Sequence, residues 1–275
     1  MNLKIRQFII EFSPLYHVYF NKQFLEFSSI EKADFVIKSE LKDSIHVKGD
    51  LLYDLPHFES IYQQEHGIQI VKHIDGMIHY AISKKNNEYT IYINRNVDQK
   101  AELEYVLSAR CFSHIVSQFN HLVLHASAIT WNNHAILFSS SSGIGKTTLA
   151  KRVLSSNPQS KFINDDKPLI TVVDDIAYAS GTPWAGSEGL CHPIEAQIQT
   201  ILFIEQGDQP KIIQMTNQEK IVKLIEHTQR LFGEHQIDQY MQIIESMIEH
   251  IQIYRFVSSN SDDDYKIFEE FMRKI

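Results

Sequence analysis

Residues 139–148 read Ser-Ser-Ser-Ser-Gly-Ile-Gly-Lys-Thr-Thr, a set of residue types suited to gripping a phosphate. Gly143 and Gly145 can take positive φ, so the backbone can curl around an anion with no Cβ in the way. The backbone N–H groups of Ser141, Ser142, Gly143, Ile144, Gly145, Lys146, Thr147 and Thr148 would then turn toward the bound oxygens, helped by the positive end of a following helix. Lys146 would bridge the β- and γ-phosphates of a nucleotide, and the Thr147 hydroxyl would ligate Mg²⁺. The usual pattern, Gly-x-x-x-x-Gly-Lys-[Ser/Thr], begins with glycine where this chain has Ser140. An apolar run enters at 135–138 and a run of helical character leaves at 149–154, the strand–loop–helix context that such a loop needs. The plainer alternative, a serine-rich surface turn before a helix, leaves Gly-Ile-Gly-Lys-Thr-Thr unexplained.

A second group lies at Asn164-Asp165-Asp166-Lys167, at the end of the apolar segment 161–163. Paired carboxylates close after a phosphate loop suit two tasks: hard oxygen ligation of Mg²⁺ and acceptance of a proton from a hydroxyl nucleophile. His125, in the apolar run 121–130, falls on a strand beside the same loop. Asp174-Asp175 is a decoy pair at the tip of a hairpin in water. The segment 181–186, Gly-Thr-Pro-Trp-Ala-Gly, is a rigid turn whose Trp184 suits the lining of a pocket, and Glu188 beyond it is a further candidate acid. Arg230 and Arg255 are the basic residues of the C-terminal part most worth testing against phosphate, with a solvated salt bridge as the expected fate of each.

These groups need elements to hold them. Residues 1–97 read as strands, with segments at 4–12 and 34–38 and a meander of three over 68–94, its turns at Asp75-Gly76 and 85–87. No motif with a mechanism falls in this part, which reads as an accessory or docking domain. Apolar residues at Leu103, Val106, Leu107, Cys111, Ile115 and Val116 predict a helix over 99–118 that leads into a second domain, 98–275. There, two apolar runs around Asn132-Asn133 predict a hairpin whose second strand feeds the loop. Strands are expected near 169–178, 197–206, 211–215 and 253–257, and helices over 219–228, 237–251 and 262–275. The expected class is α+β, a β-rich N-terminal domain followed by a catalytic domain with mixed sheets.

With 275 residues, 43% of them hydrophobic and 22% charged, the chain has the composition of a globular protein with a real core. A net charge of −8 argues against nucleic acid as the main partner. Two cysteines, Cys111 and Cys191, are too few for a disulfide framework and fit a reducing compartment. No apolar run is long enough to span a bilayer and no signal-peptide stretch follows the N-terminus, so a cytoplasmic location without membrane contact is expected.

From His125 to Gly186 the chain resembles the catalytic domain of HPr kinase/phosphorylase and its relatives, which share a fold with phosphoenolpyruvate carboxykinase. The resemblance rests on His125, the loop Ser-Ser-Gly-Ile-Gly-Lys-Thr and the strand-ending Asp165-Asp166. It implies a phosphate loop set in mixed β-structure, ATP and Mg²⁺ as cofactors, transfer of phosphate to a serine hydroxyl, and self-association. By this resemblance Asp166 matches the proton acceptor, Asp165 the neighbouring acid, with Thr147, at the metal, Lys146 the γ-phosphate ligand and His125 an active-site residue. The Glu-Ile-Arg-Gly-Leu-Gly signature of true HPr kinases is absent, and Gly-Thr-Pro-Trp-Ala-Gly occupies its region. That form looks more like the HPr-kinase-related proteins of peptide natural-product clusters, including lasso-peptide kinases that phosphorylate a C-terminal serine. A peptide or small protein ending in serine is therefore the expected substrate; a small-molecule hydroxyl kinase and a non-catalytic nucleotide-binding regulator are the alternatives. A carboxykinase is disfavoured, because no second-metal His and Lys set stands in the sequence.

Overall fold

The computed structural model describes the chain except for residues 21, 55–58, 142, 144, 229–236, 260 and 262. It is an α+β structure with two large mixed sheets, and its contacts divide the chain into one unit of Met1–Ile115 and another of Val116–Arg230 with Ile237–Ile275.

The first unit contains β1 (Asn2–Ile5), β2 (Phe8–Ser13), α1 (Lys22–Glu26), β3 (Ser28–Ser29), β4 (Phe35–Lys42), β5 (Asp50–Asp54), β6 (Ser60–Gln64), β7 (Gly67–Ile74), β8 (Met77–Lys85), β9 (Glu88–Asn94) and most of α2 (Lys100–Ser117). Its sheet runs β3-β1-β2-β4-β9-β8-β7-β6-β5, parallel only at β2–β4 and β4–β9. The expected meander is β7, β8 and β9, its first turn made by Asp75 and Gly76, both at positive φ. The segment expected as one strand over 4–12 is instead a hairpin, folded at Arg6, which takes φ 52°.

Helix α2 packs with this first sheet rather than opening the second unit. Phe112 meets the edge of Phe8, and the Tyr89 hydroxyl bonds His114 Nδ1. Glu104, fully buried, accepts the N–H groups of Leu15 at 2.7 Å and Tyr16 at 2.9 Å. Arg110 forms a two-pronged pair with Glu59, which also takes the Tyr80 hydroxyl. Buried charge is retained only where partners of this kind satisfy it, so these contacts fix the face that the helix presents.

The second unit follows with β10 (His121–Val123), β11 (Ala126–Trp131), β12 (His134–Ser139), α3 (Lys146–Ser156), β13 (Phe162–Asn164), β14 (Leu169–Val173), β15 (Ile176–Ser180), β16 (Glu195–Gln206), β17 (Lys211–Gln214), α4 (Asn217–Glu226), α5 (Ile237–His250), β18 (Gln252–Ser258) and α6 (Asp263–Met272). The long strand β16 is the spine: it pairs antiparallel with β15 at its start and parallel with β12 and β18 further on. Apolar residues lie on both of its faces. Leu149, Ala150 and Val153 of α3 and Phe268 of α6 cluster with Phe138, Leu202 and Phe256. Leu224 of α4 and Ile243, Ile244 and Met247 of α5 cluster with Leu137, Ile201 and Ile253. The sheet is thus covered by α3 and α6 on one side and by α4 and α5 on the other.

The hairpin β11–β12 turns at Asn132 and Asn133, with φ of 47° and 67°, the twist-matched two-residue turn that asparagine tolerates. Asp174 and Asp175 make the corresponding turn of β14–β15, at φ 49° and 64°. No helix among the described residues is long and apolar enough to cross a membrane.

Candidate active site

Three parallel strands, β12, β16 and β18, send their C-terminal ends the same way, and the loop 140–145 leaves β12 at that end. Gly143 has φ 84° and Gly145 has φ 103°, so both glycines stand where a side chain would be strained. Gly145 is the N-cap of α3, and its carbonyl accepts the Leu149 N–H at 2.9 Å. Ser140, at the first-glycine position, is absent from the positive-φ residues, which is why a side chain is tolerated there. Ser141 and Gly143 are exposed, while Ser142 and Ile144 lie outside the described residues. Thr148 is exposed and lines a small cavity of about 90 Å³ with Gly145, Arg152, Ser258 and Asp264.

The Lys146 side chain runs back along the loop. Its ammonium donates to the Ser140 carbonyl at 3.1 Å and lies 3.2 Å from His125 Nε2. Burial draws its pKa below the ordinary lysine value, against the attraction of Asp166. His125 occupies a bend between β10 and β11 rather than a strand, because the run 121–130 breaks at Leu124. The break is held from both sides: the His125 N–H donates to the His227 carbonyl at 2.8 Å, and the His125 carbonyl accepts the Ser139 hydroxyl at 2.8 Å. The imidazole is thereby carried off the sheet to meet Asp166 Oδ1 at 3.0 Å from Nε2.

Asp166 also bonds Lys167 through Oδ2. Burial alone would raise its pKa, but the His125 hydrogen bond and the Lys167 charge hold it well below the usual carboxylate range. Asp165 is different. Its Oδ1 accepts the Gly186 N–H at 2.6 Å, and burial raises its pKa against the N–H groups of Gly186 and Leu190. Ser127 ties this acid to the loop helix, donating to the Asp165 carbonyl at 2.9 Å and lying 3.3 Å from the Thr147 hydroxyl. His125 is therefore in contact with both Lys146 and Asp166, while Thr147 is linked through Ser127 to the Asp165 backbone carbonyl.

Asn164, fully buried, organises the acidic turn. Its Oδ1 accepts the N–H groups of Asp166 at 2.8 Å and Lys167 at 2.5 Å, while its Nδ2 donates to the carbonyls of Thr182 at 2.8 Å and Trp184 at 3.2 Å. One amide thus fastens the segment 165–167 to 182–184. Asn164, Lys167 and Ser127 carry no expected role in the sequence reading, since their contacts join segments far apart in the chain. Asparagine as the first residue of an Asn-Asp-Asp turn was the one available signal.

Two expectations are corrected and a third, for Arg255, is met. Trp184 is fully buried and belongs to the core rather than to a pocket wall. Glu188 is exposed and pairs with Lys151 at 2.8 Å. Arg255 is engaged by Glu219 at 2.6 Å and Glu205 at 3.5 Å, and so takes the expected salt bridge. Arg230 lies outside the described residues. Asp174 and Asp175 stand at a hairpin tip as read, with Asp175 3.2 Å from His250 Nε2.

The described residues contain no group of three or more His, Cys, Asp or Glu side chains able to hold a metal by themselves. Mg²⁺ that arrives with a nucleotide needs only one or two protein oxygens, because phosphates and water fill the rest. Asp165 and Thr147 fit that demand: the carboxylate is buried, and no cation among the described residues pairs with it. No protein-family model matches the chain, and no curated protein matches it either.

Proposed function

We propose that the chain is an ATP-dependent phosphotransferase that passes the γ-phosphate to a hydroxyl, with the serine of a peptide as the acceptor. The observation that carries this reading is the contact of His125 with both Lys146, at 3.2 Å, and Asp166, at 3.0 Å, directly beside a loop with two left-handed glycines. A phosphate ligand and a proton acceptor meet at one imidazole nitrogen, His125 Nε2.

In this mechanism the loop amides and Lys146 hold the β- and γ-phosphates. The acceptor oxygen forms its bond to phosphorus as the bond to the β-phosphate oxygen breaks, ADP leaves, and the hydroxyl proton passes to Asp166. His125 orients that carboxylate. Positioning and charge stabilisation supply most of the rate in such transfers. Mg²⁺, held by Thr147 and Asp165, would neutralise phosphate charge. The hydrogen bonds at Asp166 fit a group that stays ionised near neutrality, and the burial that raises the Asp165 pKa fits a carboxylate whose charge a cation would stabilise.

The test is mass spectrometry of serine-containing peptides, some ending in serine, after incubation with the protein, ATP and Mg²⁺. A gain of one phosphate supports the reading. Release of ADP with hydroxyl metabolites but with no peptide would move the acceptor to small molecules. Nucleotide binding without ADP release would leave a regulator.

A further inference from the structure

The first unit contains a cleft that phosphate transfer does not use. Strands β4 and β5 are neighbours in sequence but lie five strand positions apart, with β9, β8, β7 and β6 between them. At about 4.8 Å per strand that is about 24 Å, and the connection, residues 43–49, can reach only slightly further when fully extended. It therefore crosses the sheet as a strap with few residues to spare. Ile45 is its anchor, buried with Val71 and Ala81. Gln69 clamps it, its side chain accepting the Lys48 N–H at 2.9 Å and donating to the His46 carbonyl at 3.3 Å. At its far end Gly49 is pressed against the Gln63 carbonyl, where a Cβ would fall at 1.8 Å.

Beside the strap runs a cleft of about 420 Å³, walled by Ser44, His46 and Lys48 and floored by Ser83, Thr90 and Tyr92. That volume lies within the ordinary range of ligand sites. Its charge is one-sided. Lys42 is balanced by Glu40 at 2.7 Å and stands 5.4 Å over the Tyr92 ring, and Glu88 is balanced by Lys38 at 2.6 Å. Lys48 and Lys85 are exposed and have no carboxylate partner among the described residues. In a chain of net charge −8, a concave surface with two uncompensated ammonium groups and a floor of hydroxyls is selective for anions.

We propose that this cleft binds an acidic peptide segment in extended form, lying along the strap. The length follows from the lining: β4 to β6 are four strand positions apart, about 19 Å, which matches about six extended residues. Carboxylates of the segment would meet Lys48 and Lys85, and its backbone would meet the hydroxyls of Ser83, Thr90 and Tyr92. A compact anion would fill only one part of such a trough. The site belongs to the first unit alone and does not depend on the activity proposed for the second.

The test uses the full chain and a fluorescein-labelled peptide of six glutamates, with a six-glutamine peptide as the uncharged control, read by fluorescence anisotropy. The glutamate peptide is expected to bind at least about tenfold more tightly than the glutamine peptide. Lys48→Glu with Lys85→Glu should abolish that preference, whereas Lys211→Glu with Lys274→Glu, of equal charge change in the other unit, should leave it within about twofold. All four lysines are exposed, and unchanged thermal melting would show that the variants fold. Equal weakening by both pairs would reveal only nonspecific attraction and would overturn the proposal. So would full displacement of the peptide by citrate at matched ionic strength, which would assign the cleft to a small anion.

Discussion

At the scale of single residues, Asn164 and Lys146 carry the heaviest demands. Asn164→Ala removes five hydrogen bonds and leaves the N–H groups of Asp166 and Lys167, the Thr182 and Trp184 carbonyls and the Thr182 hydroxyl without it. Buried polar groups stripped of a partner cost about 1–3 kcal/mol each, though neighbouring losses overlap. Denaturant melts should show a loss of about 3 kcal/mol; a loss within experimental error would mean that the turn is held by something else. Lys146→Ala should weaken ATP binding by about ten- to hundredfold in calorimetric titration, the worth of one charge-assisted contact, with the melt little changed. The glycines, the lysine and the paired acids stood out in the sequence because the proposed chemistry demands those types at those spacings. Asn164 and Ser127 did not, since neither acts on a ligand; each acts on a segment that only the fold brings near.

At the scale of elements, the site is built by breaks rather than by regular structure. His125 reaches Asp166 because the run 121–130 bends between β10 and β11, a break that an unbroken apolar stretch does not announce. The hairpin at Asn132-Asn133 was legible, because asparagine pairs there signal a left-handed turn. The parallel pairing of β16 with both β12 and β18 was not, since periodicity is silent on which strands meet. Trp184 illustrates the same limit: flanking glycines suggested a pocket, and the fold makes it core. Gly181 is the tightest point of this arrangement. A Cβ there would stand 1.8 Å from the His192 carbonyl and 2.8 Å from that of Ile163, both backbone atoms that cannot swing aside. Gly181→Ala should therefore cost about 3 kcal/mol or more, read by chemical denaturation. A melt like that of the unaltered chain would contradict the close packing of 181–192 against β13.

At the scale of the whole molecule, stability should depend on pH through groups that fold into unusual surroundings. His227 is buried beside His125, and burial, aided by the nearby charge of His125, lowers its pKa to about 4 from the ordinary 6.5. The unfolded chain therefore binds this proton first. Stability on this account is full above about pH 6.5 and falls as pH drops toward 4, by an amount on the order of 3 kcal/mol. His227→Gln should flatten that slope in thermal melts taken across the window, and an unchanged slope would assign the acid sensitivity to other groups. The contacts divide the chain after Ile115, past the change from strand-rich to motif-bearing pattern near residue 97. The side taken by α2 was decided by Glu104, Arg110 and His114, whose partners belong to the first unit.

The most direct measurement compares the intact chain with Asp166→Asn for ADP formation and for ATP affinity, with Mg²⁺ and a pool of serine peptides present. If Asp166 takes the proton of the acceptor, turnover should fall by about a thousandfold while the dissociation constant for ATP stays within about threefold. Turnover that survives the substitution would remove Asp166 from that role, and an intact chain that binds no ATP would contradict the phosphate-loop reading itself.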